Sequence, residues 1–132
     1  MLRGLVIVFL LLGSSSVWAA EPTAEAQAIA AGAKLLSIEE LKGFYLGRTV
    51  IGEAPSGYRF RTSVKSDGSI PANERRGAGT LTISAPGKAC MHFSELWEGK
   101  PRCWTHYRIG ETIKDFHEDG TLAATLKSES GD

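Results

Sequence analysis

Apolar positions along the chain fall into three regimes. Leu5–Leu12 is one unbroken apolar run, Thr23–Lys42 carries apolar residues sparsely, and from Gly47 they alternate with polar ones. A period of two marks a strand with one buried face, because successive side chains point to opposite sides of a sheet. Arg48–Ile51 is a first short strand, closed by a turn at Ala54-Pro55-Ser56-Gly57. Tyr58, Phe60, Thr62 and Val64 then alternate with Arg59, Arg61 and Ser63. Beyond Ser66-Asp67-Gly68, the polar stretch Ser69–Arg76 is interrupted by Pro71 and reads as a loop or a poor edge strand.

The alternation resumes with Leu81 and Ile83 between Thr80, Thr82 and Ser84. Pro86-Gly87 turns into Lys88–Ser94, and Glu98-Gly99 into Cys103–Ile109. Gly110-Glu111 leads to Thr112–His117, and Asp119-Gly120 to Thr121–Lys127. Turns at such short spacing predict a mainly β fold. It is an antiparallel meander of about six to eight strands, cupped or closed as a small barrel.

A short N-terminal helical segment precedes the strands. Thr23–Leu36 is alanine-rich, which favours helix, but Gly32 and a weak apolar face argue against firm docking. Ser37-Ile38-Glu39-Glu40 reads as a capping box that starts a helix over Ile38–Lys42, ended by Gly43. Ile38 and Leu41 share a face of that helix and suit it to cover the mouth or edge of a sheet.

The apolar run at the N-terminus follows Arg3 and precedes Val17-Trp18-Ala19. That order reads as a signal peptide over residues 1–20, cleaved after Ala19 or Ala20. The run is shorter than the roughly 20 residues that span a bilayer, so no stable membrane anchor is expected after cleavage. The chain then divides into the signal peptide (1–20), an alanine-rich and short helical segment (21–43) and a β-meander domain (44–132). Localisation is expected to be periplasmic or secreted. Lys plus Arg and Asp plus Glu each number 15 in the 132 residues, so no electrostatic footprint for nucleic acid is visible.

Export bears on Cys90 and Cys103, the chain's two cysteines. In an oxidising compartment they are expected to pair, and a bridge closing a loop of about a dozen residues contributes roughly 3 kcal/mol in the chain-entropy model. A two-residue turn at Glu98-Gly99 would set Cys90 opposite Tyr107. The bridge therefore requires a wider loop through Leu96–Pro101, or a bulge.

With the cysteines on one face, alternation puts His92 on theirs and His106 on the other. The Gly110-Glu111 turn pairs His106 with Asp115 and Trp104 with His117, and the next turn sets His117 near Leu122. One face then carries Met91, Phe93, Trp104, Ile113, Leu122 and Leu126, with His106, Asp115 and His117 among them. This polar trio on an apolar face, with Trp104, is the candidate pocket. It reads either as a His106–Asp115 hydrogen bond or weak metal site, or as a slipped register or solvated rim. No nucleophile can be placed beside it, so no catalytic residue and no metal site is assigned.

Trp97 is the candidate partner contact, with packing over the disulfide as the alternative. Arg59, Arg61, Arg75 and Arg76 read as solvated charges or an anion site. Gly77-Ala78-Gly79 lacks the lysine and hydroxyl residue of a phosphate loop, and a strand follows it. Composition gives no reason to propose a cofactor.

The order Gly47-x-Thr49, Asp67-Gly68, Gly79-Thr80-Leu81-x-Ile83, Cys90, Trp97, Gly99, Arg102-Cys103, Tyr107-Arg108 and Asp119-Gly120 resembles a group of small exported alphaproteobacterial proteins. These are domain of unknown function 995 and its relatives, and the resemblance covers Leu41–Leu126. The chain departs from that pattern with Leu81 where tryptophan is common and with Ala89 before the first cysteine. The resemblance implies a disulfide-bearing β-meander and carries no activity. The expected function is an exported, non-enzymatic, lipocalin-like module holding a small apolar or amphipathic ligand in the cup. The alternative is a module that binds or inhibits an envelope protein.

Overall fold

The computed structural model describes Gly13 and residues 21–131. Apart from Gly13, the signal-peptide reading of residues 1–20 lies outside the described residues. Strand β1 (Lys34–Leu35) precedes eight further strands. These are β2 (Arg48–Glu53), β3 (Arg59–Val64), β4 (Ser69–Ile70), β5 (Gly79–Ala85), β6 (Lys88–Phe93), β7 (Arg102–Ile109), β8 (Thr112–Phe116) and β9 (Leu122–Ser130). They form one antiparallel sheet in the order β3-β2-β9-β8-β7-β6-β5-β4.

Each strand from β4 to β9 thus lies beside its successor, and β9 returns to pair with β2. The two ends of the sheet, β3 and β4, are joined by a tight turn in which the Lys65 N–H donates to the Ser69 carbonyl at 2.9 Å. The result is an up-and-down barrel closed everywhere except along the short β3–β4 seam. Near-complete closure leaves little unpaired strand edge. The mainly β fold read from the sequence is the fold observed.

Helix α1 (Ala24–Ala30) is capped by Thr23 and buries none of its residues. It is nevertheless tied down, since the Glu25 N–H donates to the Gly120 carbonyl at 3.0 Å and the Tyr107 hydroxyl donates to the Glu25 carboxylate at 3.0 Å. After it, β1 pairs with β7 at Leu35–Tyr107, on the edge left free where the β6–β7 ladder ends at Lys88–Thr105. The segment before residue 44 is therefore built into the sheet rather than appended to it.

Helix α2 (Ile38–Tyr45) begins with the expected capping box, Ser37 Oγ accepting from the Glu40 N–H at 3.1 Å. It runs past Gly43 and ends at Tyr45, three residues beyond the expected last residue Lys42, with Leu46 as its C-cap. Gly43 has ample space and stays helical, while Gly47 takes the positive φ of +70° that turns the chain into β2. Burial of Tyr45 supplies what local propensity did not. Leu41, fully buried, and Tyr45 insert between the strands and plug one end of the barrel, joined in its core by Leu36, Val50, Val64, Ile70, Leu81 and Phe93.

Candidate binding site

The opposite end of the barrel is open. A cavity of about 390 Å³ enters there and reaches down to Tyr45, within the range of small-molecule sites. Its wall is mostly apolar, with Phe60 from β3, Met91 and Phe93 from β6, Trp104 from β7 and Leu126 from β9. Alternation places these side chains inward. It also places Cys90 and His92 outward, between the core residues Ala89 and Phe93.

Cys90 and Cys103 are direct cross-strand partners and form a disulfide. The register that brings them together needs the wide β6–β7 loop, not a tight hairpin. That loop contains a 3-10 turn at Trp97–Gly99, with Trp97 and Glu98 at φ +55° and +58°. Left-handed backbone at two consecutive non-glycine residues is strained and persists only where packing over-determines it. Here the packing is aromatic. The Trp97 ring meets Phe93 edge-on at 5.5 Å and Trp104 at 5.6 Å, and the Arg102 guanidinium lies 4.8 Å over its face. Trp97 thus lines the cavity and joins the core; the disulfide lies on the sheet's outer side.

The deep end holds the polar part of the site. His106 and Asp115 are partners on β7 and β8, as the hairpin spacing predicts. His106 is fully buried and its ring nitrogens are both engaged. Nδ1–H donates to the Gly87 carbonyl at 3.0 Å, and Nε2 accepts from the Tyr45 hydroxyl at 2.5 Å. This assignment follows from the partners, a carbonyl being able only to accept. Burial pushes the imidazole down to about 4, which keeps it neutral. The Tyr45 phenol is held well above its ordinary value by burial and by the neighbouring Asp115 carboxyl.

Asp115 Oδ2 stands 3.7 Å from His106 Nε2, too far for a hydrogen bond. Its partner Oδ1 is buried and unpaired. Burial pushes this carboxyl up to about 7, against the lowering pull of the nearby Ala124 and Asp115 backbone N–H groups. His117 is exposed, lines the cavity and lies one residue beyond the irregular register between Asp115 and Phe116. That bulge pairs Leu122 with Phe116, not with His117 as simple alternation had it. Among the described residues no three His, Cys, Asp or Glu side chains gather to hold a metal.

Sequence reasoning missed Tyr45, because the helix was expected to stop before it. Arg76 belongs to the arginines read as solvated charges or an anion site, and of these Arg59 and Arg61 are solvated, lying exposed near Glu53 and Glu129. Arg76 instead turns inward, its guanidinium 4.6 Å over the Phe93 ring. Among the described residues no helix is long and apolar enough to cross a membrane. In comparisons with known proteins, no family model, no curated protein and no solved structure matches the chain.

Proposed function

We propose that this protein is an exported, non-enzymatic binding module that holds a small apolar or amphipathic ligand inside the open end of its barrel. The observation that carries this reading is the cavity of about 390 Å³, apolar along its walls and polar at a few fixed points. Protein interiors are ordinarily close-packed, so an apolar space of this size inside the barrel is a distinct feature of the fold. The non-enzymatic part rests on His106. Both its nitrogens are bonded and its side chain is fully buried, so it is not available to move a substrate proton.

The disulfide supports an oxidising, periplasmic or extracellular setting. The resemblance to domain of unknown function 995 stays with this proposal and adds the same setting. Partner binding through Trp97 has less support, because that ring is already engaged by Phe93, Trp104 and Arg102.

The test is native mass spectrometry of the oxidised protein from an exporting host, with titration of tryptophan fluorescence by 1-decanol. A retained small-molecule adduct, or saturable quenching at one ligand per chain, is expected. A bare mass together with no saturable response would overturn the reading.

A further inference from the structure

Two buried side-chain polar atoms among the described residues have no hydrogen-bond partner, Arg76 Nε and Asp115 Oδ1. Both belong to residues that line the apolar cavity at the open end of the barrel. Folded proteins leave few such atoms unpaired, because burial strips them of water without replacement. Two in a single cavity are the complement of a ligand that carries polar atoms of its own.

Their positions describe that ligand. Arg76 comes from the loop between β4 and β5, at the open end, and takes part in no ion pair among the described residues. Its guanidinium lies over the Phe93 ring, Phe93 meets Trp97 edge-on, and the Arg102 guanidinium lies over the Trp97 ring. Two cations without an ion pair among the described residues thus flank an aromatic wall. Asp115 lies at the other extreme, beside Tyr45 and the plug. Its side chain is 7 % exposed, and the Tyr45 hydroxyl that could have served it is given to His106.

We propose that the cavity binds an amphipathic anion: a carboxylate head at Arg76, an apolar body along Phe93, Trp97 and Trp104, and a hydroxyl at the inner end on Asp115. Arg76 meets the head with its free Nε–H, a charge-assisted bond inside an apolar surround, and Arg102 adds a second positive charge at the mouth. The inner hydroxyl satisfies Oδ1 as donor. This inference deepens the binding-module reading and rests on it.

Binding of decanoate, 1-decanol and decyltrimethylammonium to the oxidised protein tests the head. Decanoate should bind roughly tenfold tighter than either of the others, the size of one charge-assisted bond. Arg76→Met should remove most of the preference for decanoate over decanol, with the variant's circular dichroism and unfolding midpoint reporting that the barrel is intact, and an undiminished preference would overturn the Arg76 contact. Equal affinities for all three in the unmodified protein would overturn the anion assignment and leave the binding module standing. Saturable binding of none would overturn both. A series of ω-hydroxy acids of about six to twelve carbons tests the inner end. One length should exceed its parent acid several-fold, with the gain lost in Asp115→Ala. A series without such a gain overturns the Asp115 contact.

Discussion

The Tyr45 hydroxyl donates to His106 Nε2 across 61 residues of sequence, joining the last turn of the plug helix to the centre of the barrel wall. The rings also meet edge-on at 5.4 Å. One contact thus ties the plug to the barrel wall and occupies Nε2, while burial keeps the imidazole neutral. Tyr45→Phe keeps the ring and removes only the donor. The buried Nε2 is then unsatisfied, and stability should fall by about 1–3 kcal/mol. Urea unfolding monitored by circular dichroism measures this, and coincident midpoints would remove the contact's structural role.

The pH dependence of stability should report two opposed groups. Asp115 titrates at about 7 in the folded protein, above its ordinary value, so its contribution is full at low pH and is lost as pH rises toward 7. His106 titrates at about 4, below its ordinary value, so its contribution is full at neutral pH and is lost as pH falls toward 4. Between these limits the slopes offset. Asp115→Asn leaves His106 alone, and the variant's stability should climb from pH 4 to 6.5 by up to roughly 3 kcal/mol. The acidic groups Glu40, Asp67 and Asp119 are common to both proteins and cancel in the difference. Parallel curves for the two proteins would refute the assignment.

Leu41 carries the apolar half of the plug. It is fully buried at the end of the barrel, so Leu41→Ala should cost about 2–5 kcal/mol through lost transfer energy and the space left behind. A loss under about 0.5 kcal/mol in the same unfolding assay, the range of ordinary surface changes, would show that the helix is a loose cover.

Reduction of the Cys90–Cys103 bridge should lower stability by roughly 3 kcal/mol, as should the paired substitution Cys90→Ser with Cys103→Ser. Because the bridge lies on the outer side of the sheet, ligand affinity at low temperature should be retained. Identical melting of oxidised and reduced protein is the outcome that sinks the first expectation.

Gly79 opens β5 directly beneath the Phe93 ring. A Cβ there would sit 2.4 Å from Phe93 Cδ1 and 2.9 Å from the His92 carbonyl oxygen. Gly79→Ala should therefore cost about 1–3 kcal/mol. It should also shift the tryptophan emission, since Phe93 bears on Trp97. Unchanged emission would mean that the edge-on Phe93–Trp97 contact does not rest on this close approach.

Much of the barrel was legible because a half-buried strand writes its burial directly into alternate residues. Thr62 and Val64 on β3, Leu81 on β5 and Leu126 on β9 all turn inward as the pattern requires. The hairpin arithmetic from Gly110-Glu111 placed His106 against Asp115, and the expectation of an oxidising compartment paired the cysteines. These conclusions need only local period, turn residues and the behaviour of thiols.

What tertiary structure alone decided is where each polar group found its partner. Continuation of α2 through Gly43 depends on Leu41 and Tyr45 reaching a core built by distant strands. The inward turn of Arg76 depends on Phe93 offering a ring face, and the Leu122 register on a bulge one residue wide. Alternation specifies which side of a sheet a residue occupies. Whether that side is filled by a neighbour, a helix or an empty cavity depends on contacts between residues far apart in sequence, and no local period encodes them.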